Sequence, residues 1–322
     1  MKRHFLIDTD TASDDAVALI MALRNPEIEV VAITTVAGNV GVDQATRNAL
    51  FTAELCDSSV PVYAGAAAPL KRRHYGADWF HGADGLGDHG YAASTRGASP
   101  VHAVDAIVEA IESHPGIVVV TLGPLTNIAL ALQRRPEIVR NVGRLVLMGG
   151  APCCEGNVTP AAEYNIWCDP EAAKAVVRSG LPIELVGWHL CRGEAVLSLA
   201  DIQKVLAFEN PIARFAIECN STAQNAFFVQ TGEHGISLPD PVAMAVALHP
   251  SIIQEHSDHL MDVEAGSELT RGMTVVDRLN VAGDGRNAGV WSETVKLGYR
   301  VKIIWSIDND GWKAGLFDAL RA

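Results

Sequence analysis

With 322 residues, of which 48% are hydrophobic, the chain is long enough to bury a large core, and we expect one domain over residues 1–322. The formal net charge of -13 argues against a nucleic-acid or an anionic-membrane partner, because either would repel the average surface. A small neutral or cationic ligand fits this charge better.

The N-terminal residues lead directly into a short apolar run. They lack the long apolar stretch of a signal peptide or a membrane span, and we therefore expect a cytoplasmic protein. The six cysteines show no zinc-type CxxC spacing, and a chain of this size does not need disulfide bonds to fold. We expect these cysteines to be reduced.

Apolar runs of strand length alternate along the chain with amphipathic segments of helix length. The predicted strands are residues 5–7, 30–36, 60–63, 117–122, 144–148 and 182–186. The predicted helices are residues 14–23, 44–55, 101–113, 125–132, 170–179, 198–208, 211–226 and 241–248. This alternation is typical of an α/β fold with a Rossmann-like, mostly parallel central sheet flanked by helices.

The remaining segments are a glycine-rich loop and a C-terminal extension of the sheet. Residues 68–100 carry glycines at positions 76, 82, 85, 87, 90 and 97, too many for a stable element. We expect a long mobile loop there, and long loops in compact domains are usually functional. Extra strands are predicted at residues 260–263, 273–276 and 295–305, followed by a helix over residues 310–320.

Four aspartates follow the first predicted strand within eight residues: Asp8, Asp10, Asp14 and Asp15. Ligands bind at this end of a strand in an open α/β sheet. Helix capping and the helix dipole explain one or two of these acids, at about 0.3–1 kcal/mol each, but not all four. Because no histidine or cysteine is interleaved, the oxygen-only set indicates a hard cation such as Ca²⁺ or Mg²⁺.

The acidic stretch also matches a second enzyme motif. Residues 8–11, Asp-Thr-Asp-Thr after an apolar strand, are similar to the aspartyl-phosphate nucleophile motif of haloacid-dehalogenase-like phosphatases. That family has a lysine and a second acidic pair farther along, for which residues 283–285 are a weak candidate. The Ser-Asp-Asp extension at residues 13–15 is foreign to it.

A set of motifs in order along the chain resembles the inosine-uridine-preferring nucleoside hydrolase family. The first two are Asp8-Thr9-Asp10-x3-Asp14-Asp15 and the Ile-Thr-Thr-Val-Ala-Gly-Asn run at residues 33–39. Further similar blocks lie at residues 81–82, 122–127, 146–150, 156–157, 162–166, 169–173, 240–241 and 272–277. The likeness therefore spans nearly the whole chain.

The resemblance implies a reaction and a metal. The reaction is hydrolysis of the N-glycosidic bond of ribonucleosides to ribose and free base. A calcium ion would be bound by Asp10, Asp15, Asp240 and the backbone carbonyl of Leu122. Asp10 would also act as the general base for water. Negative charge beside the sugar suits this chemistry, because the bond breaks through an oxocarbenium-like transition state.

The same resemblance implies a set of substrate-binding residues. Asp14, Asn39 and Asn165 would hold the ribose hydroxyls, Asn157 and Glu163 would lie near the 5′-hydroxyl, Met148 beneath the sugar, and His81 near the base. Taken singly, an asparagine after a glycine is an ordinary turn residue. Only the assembled set predicts a site that recognises a polyol.

This sequence departs from the family where the leaving base is protonated. Many members carry a histidine directly before the late metal-binding aspartate, but here that residue is Pro239, which cannot transfer a proton. Two replacements are His234, which lies in a glycine-flanked stretch, and Trp188, which could stack on the base and ease its protonation by solvent.

Three interpretations follow from these observations. The leading one is the nucleoside hydrolase, which by family resemblance would be a homodimer or homotetramer. The second is the phosphatase, with Asp8 or Asp10 as a covalent nucleophile. The third is a non-catalytic nucleoside- or sugar-binding relative that keeps the metal site, which Pro239 supports best.

Overall fold

Short strands pair side by side from Arg3 onward. The computed structural model describes residues 2–321. The strands are β1 (Arg3–Thr9), β2 (Ile28–Thr35), β3 (Val62–Ala64), β4 (Ile117–Thr121), β5 (Val142–Met148), β6 (Ile183–Val186), β7 (Ile253–His259), β8 (Met261–Val263), β9 (Thr274–Val276) and β10 (Val301–Ile307). Eight of them form one sheet in the order β3-β2-β1-β4-β5-β6-β10-β7, while β8 and β9 form a separate antiparallel pair. Only β7 runs antiparallel in the large sheet.

Helices cover both faces of this sheet. They are α1 (Ser13–Leu23), α2 (Val42–Leu55), α3 (Asp78–His81), α4 (Ala103–Ser113), α5 (Thr126–Arg134), α6 (Tyr164–Cys168), α7 (Pro170–Val177), α8 (Leu199–Leu206), α9 (Pro211–Glu218), α10 (Ser221–Thr231), α11 (Pro239–Leu248), α12 (Ala288–Leu297) and α13 (Asn309–Arg321). Side chains alternate across β1: Phe5 and Ile7 join one hydrophobic cluster with α1 and α11, and Leu6 joins the other with α4, α5 and α7. Two buried cores therefore enclose the sheet, as expected for a mostly parallel one.

The predicted fold class, a single α/β domain with a mostly parallel sheet, is confirmed. One edge of this sheet holds the carboxyl ends of the parallel strands β1, β2, β4, β5 and β6. In register, Asp8 of β1 lies beside Thr34 of β2 and Thr121 of β4. Within residues 2–321, no helix combines the length and the apolar character that crossing a membrane requires.

Two predicted elements differ from the structure, and one strand of the structure was not predicted. The strand predicted at residues 295–305 is wrong in its first part, because α12 continues to Leu297 and ends at Gly298, whose φ is 69°. The helix predicted at residues 211–226 is interrupted at Cys219 and Asn220, which separate α9 from α10. The edge strand β7 was not predicted, since its sequence IQEHSDH is polar and largely exposed.

Candidate active site

Asp8 supports the site from behind. Its Oδ1 accepts hydrogen bonds from Thr34 Oγ1 at 2.6 Å and from Asn127 Nδ2 at 2.8 Å. Burial raises the pKa of this carboxyl to about 7, although both hydrogen bonds lower it. Asp8 thus ties β1 to β2 and to the N-terminus of α5 through Oδ1, while its Oδ2 is buried without a hydrogen-bond partner among the described residues.

Three further aspartates meet where two helices begin. Asp14 and Asp15 lie in the first turn of α1, and Asp240 lies in the first turn of α11, which packs against α1. One carboxylate oxygen from each lies within 4.8 Å of the other two, and all three residues are buried. Asp15 is oriented by Thr9 Oγ1 at 2.5 Å and by the Ala12 N–H at 2.9 Å. Helix dipoles favour negative charge at both places.

The charges of this aspartate cluster are not balanced by protein cations. Burial raises the pKa of Asp14 to about 6, and burial with the neighbouring Asp14 charge raises that of Asp15 to about 6. The pKa of Asp240 is raised well above its ordinary value by burial and by the adjacent aspartates. Since no lysine or arginine lies among the described residues that line the pocket, a hard cation would relieve this repulsion.

Asp10 occupies a narrow space between two glycines, which we name the Asp10 seat. An added Cβ would lie 2.0 Å from Asp10 Oδ2 at Gly38 and 2.7 Å from Asp10 Oδ1 at Gly123. Oδ2 accepts the Asn39 N–H at 2.6 Å, whereas Oδ1 is buried and has no hydrogen-bond partner among the described residues. Burial, and next the charge of Asp15, raise the pKa of Asp10 well above its ordinary value. Asp10 itself lies outside the cluster formed by the other three aspartates.

The Asp10 seat can be tested by filling it. In Gly38→Ala the new methyl group would meet both Asp10 and Pro124 Cδ, the latter at 2.7 Å, and Asp10 must move. We expect a stability loss of about 1–3 kcal/mol and at least about a tenfold loss of activity. The matched control is Gly41→Ala, because nothing lies within 4 Å of its added Cβ. Thermal unfolding measures the stability loss, and product release measures the activity loss. If both variants had the same stability and activity, Asp10 would not depend on the space left by Gly38.

Two polar residues hold the loops after β4 and β5 together. Asn165 Nδ2 donates to the Leu122 carbonyl at 2.6 Å and to the Met148 carbonyl at 3.2 Å. Glu163 caps α6, where its Oε1 accepts the Asn165 N–H at 2.9 Å and its Oε2 accepts the Gly150 N–H at 2.8 Å. Burial raises the pKa of Glu163 to about 7. The Leu122 carbonyl keeps a second lone pair beside its bond to Asn165.

The site opens into one pocket of about 630 Å³, including its open mouth. The predicted residues Asp10 and Asp15 are buried and are not among the residues that line it. Of the residues predicted from the sequence, the pocket brings together Asp14, Asn39, His81, Leu122, Met148, Asn157, Glu163, Asn165, Trp188 and Asp240. Sequence reasoning missed the lining residues Ala77, Trp79, Phe80, Val158, Tyr164, Gln230 and Ser237. The available signal was the aromatic pair at positions 79 and 80 inside an otherwise glycine-rich loop.

Aromatic residues form the outer wall of the pocket. Trp79 and Phe80 on α3 precede His81, whose Nδ1 lies 2.9 Å from Ser13 Oγ. Burial lowers the pKa of His81 to about 4, so its ring is neutral near pH 7. Trp188, which also lines the pocket, is buried and packs edge-on against Phe227, with ring centroids 6.4 Å apart. This wall presents ring faces and edges suited to a flat aromatic ligand.

The two candidates for the leaving-group role lie in different places. Trp188 lines the pocket, and Pro239 lines it at the first turn of α11. His234 is exposed and stacks on the Phe228 ring, with centroids 4.4 Å apart, outside the pocket lining. The structure therefore brings Trp188 to the site but not His234.

The chain is similar to known nucleoside hydrolases in sequence and in fold. The family model described as inosine-uridine preferring nucleoside hydrolase matches residues 5–312. A pyrimidine-specific ribonucleoside hydrolase, RihA of Shewanella sp. (strain MR-7), is 38% identical over 99% of this chain and 96% of its own. Among solved structures, the plant nucleoside hydrolase PpNRh1 has a TM-score of 0.90 at 30% identity, covering 100% of both chains. The purine-preferring ribonucleoside hydrolase from Gardnerella vaginalis has a TM-score of 0.87 at 29% identity, covering 99% of both.

Proposed function

Because the chain belongs to the inosine-uridine preferring nucleoside hydrolase family, we propose that it cleaves ribonucleosides with a water activated by Asp10 beside a calcium ion. The chain is an N-glycosyl hydrolase, as its family and its relatives are. The observation that supports the mechanism is the cluster of buried carboxylates of Asp14, Asp15 and Asp240, of which Asp14 and Asp240 line the pocket. Asp10 is buried close enough for the charge of Asp15 to raise its pKa. The phosphatase interpretation is not retained, because the family match covers nearly the whole chain.

The residues present fit a hard cation. Buried Oδ1 atoms of Asp10 and Asp14 have no hydrogen-bond partner among residues 2–321, and the available ligand atoms are all oxygens. From the family resemblance we propose Asp10, Asp15, Asp240 and the Leu122 carbonyl as ligands, while the geometry adds Asp14 as a neighbour of Asp15 and Asp240. A calcium ion there would supply positive charge that orients ribose hydroxyls and makes a nearby water more acidic.

Asp10 is the proposed general base. Its Oδ1 is free to accept a proton, and its Oδ2 is held by the Asn39 N–H at 2.6 Å. Burial raises its pKa well above the ordinary value, which makes the carboxylate a stronger base toward water. As the glycosidic bond breaks, the sugar gains positive charge, which the surrounding carboxylates stabilise.

The nucleoside is proposed to lie with its sugar inside and its base at the aromatic wall. Asp14, Asn39 and Asn165 would bind the ribose hydroxyls, with Asn157 and Glu163 near the 5′-hydroxyl, Met148 beneath the sugar and His81 near the base. Their positions around one pocket support these roles. A panel of purine and pyrimidine ribonucleosides, assayed for ribose release with and without calcium, tests the function. Binding without ribose release in the presence of calcium would favour the non-catalytic interpretation instead.

Trp188 is the better supported of the two leaving-group candidates. We expect Trp188→Ala to lower kcat for natural nucleosides about 10- to 100-fold, because a stacked base is easier to protonate. His234→Ala should leave kcat within about threefold, since His234 lies outside the pocket lining. A nitrophenyl riboside, whose leaving group needs no proton, is the control substrate for both variants. Equal losses on both kinds of substrate would show that Trp188 does not assist departure of the base.

Two expectations from the sequence stay predictions. They are the cytoplasmic location and the homodimeric or homotetrameric assembly.

A further inference from the structure

We name residues 70–77 the strap. In space this segment runs from contacts at the start of α7 to the aromatic wall of the pocket. At one end the Leu70 N–H donates to Asp169 Oδ2 at 2.8 Å, and Arg72 pairs with Glu171 at 3.2 Å. At the other end the strap continues directly into α3, which carries Trp79, Phe80 and His81. Trp79 is 60% exposed. The position of the strap therefore decides where this wall stands over the pocket.

Three hydrogen bonds hold the far end of the strap. His74 Nε2 lies 2.7 Å from the Gly38 carbonyl, and the Ala77 N–H donates to the Asn39 carbonyl at 2.8 Å. The Tyr164 hydroxyl lies 2.7 Å from the Tyr75 carbonyl and 2.9 Å from the Gly38 carbonyl. A carbonyl only accepts, so His74 must donate to Gly38 through an Nε2 proton. The Tyr164 hydroxyl has a single proton, and the nearer of its two acceptors is the Tyr75 carbonyl.

Tyr164 also lies next to groups on the sugar side. Its chain neighbours are Glu163 and Asn165, whose side chains fix the loops after β4 and β5. The loop at Gly38 and Asn39, which it contacts, forms one side of the Asp10 seat and donates the Asn39 N–H to Asp10. One hydroxyl thus connects the sugar side, the loop beside the general base and the wall on the base side.

We propose that Tyr164 is a positioning residue whose hydroxyl holds the strap, and with it α3, closed over the bound base. The proposal rests on the proposed placement of the nucleoside in the pocket. Removing the hydroxyl while keeping the ring leaves His74 and Ala77 as the remaining bonds at this end. The closed arrangement then becomes less populated before substrate binds, and the apparent affinity falls by the same factor.

The test is Tyr164→Phe in the full chain. Loss of one hydrogen bond should raise KM for nucleosides about three- to tenfold, while kcat stays within about twofold because bound substrate closes the strap again. Hydrogen exchange of the backbone amides of residues 77–82, measured without substrate, should become faster by a similar factor. The matched control is Tyr299→Phe, since Tyr299 lies against Gly180 outside the pocket lining.

Two results would overturn the proposal. One is an unchanged KM together with unchanged exchange at residues 77–82. The other is a fall in kcat with no change in exchange, which would mean that the hydroxyl acts on the reacting substrate. If Tyr164→Phe does not fold, His74→Ala tests the same end of the strap and should raise KM and exchange likewise. Because the exchange measurement needs no substrate, it separates failure of this proposal from failure of the proposed function.

Discussion

Replacing Asp10 by asparagine is expected to lower kcat for ribose release about a thousandfold, because general-base catalysis contributes about 10²–10⁴-fold. Asparagine has nearly the same shape, so its amide oxygen can keep the bond from the Asn39 N–H, which is 2.6 Å long in the native chain. The fold should survive, since the change removes a buried charge that has no partner on Oδ1 within the described chain. Steady-state kinetics with a nucleoside, alongside thermal unfolding, measure the two effects.

The control for this variant is Asp318→Asn. The Asp318 side chain is 75% exposed and pairs with Arg321 at the surface of α13. Its removal should leave kcat within about twofold, as expected for an exposed ion pair. A kcat of Asp10→Asn within threefold of the native value would eliminate Asp10 as the general base, whatever the metal does.

Chelation of calcium is expected to have an effect of comparable size. Removing the ion should lower ribose release at least about 100-fold and destabilise the fold, by about 2.7 kcal/mol relative to free calcium at about 100 times its Kd. The physical reason is the cluster of Asp14, Asp15 and Asp240, whose oxygens within 4.8 Å of one another repel without a cation. Restored calcium should recover both activity and stability. Full ribose release after exhaustive chelation would contradict the proposed role of calcium.

The loss of stability on calcium removal should increase with pH. Burial raises the pKa of Asp14 and Asp15 from 3.8 to about 6 in the folded, metal-free chain. Between these values the folded state binds more protons than the unfolded state, so the free energy of unfolding falls as pH rises through about 6. Melting temperatures with and without calcium should therefore differ more at about pH 7.5 than at about pH 5. The reverse order would show that other groups control the stability.

The sequence predicted those parts of the fold in which local pattern and tertiary environment agree. Most residues of the central strands β1, β2, β4, β5 and β6 are buried, and each of these strands contains a short apolar run. The strand β7 lies at an edge and is polar, so the pattern had no periodic signal there. The helix α12 has only Thr294 buried, and its valines and leucine imitate a strand. Neither element has a buried apolar face from which its type could be read.

The candidate site also contains features that the sequence predicted and features that it did not. Acidic residues and asparagines at strand ends were visible in the sequence, because the chain brings the carboxyl ends of parallel strands together. Glycines 38 and 123, which leave space for Asp10, are conspicuous only when the distance from an added Cβ is measured. The same holds for Tyr164, whose hydroxyl lies within hydrogen-bond distance of the carbonyls of Gly38 and Tyr75, both far away in the sequence.

Asp10 is held in one orientation between Gly38 and Gly123, where an added Cβ would meet its carboxylate oxygens. A group that had to be ordered on binding would lose rotamer entropy at every encounter, whereas Asp10 loses it once, when the chain folds. The disadvantage is a buried carboxylate that weakens the folded state. Under the general-base role proposed for Asp10, the native chain therefore gives up thermodynamic stability for a preorganised base, and variants selected only for stability would tend to lose it.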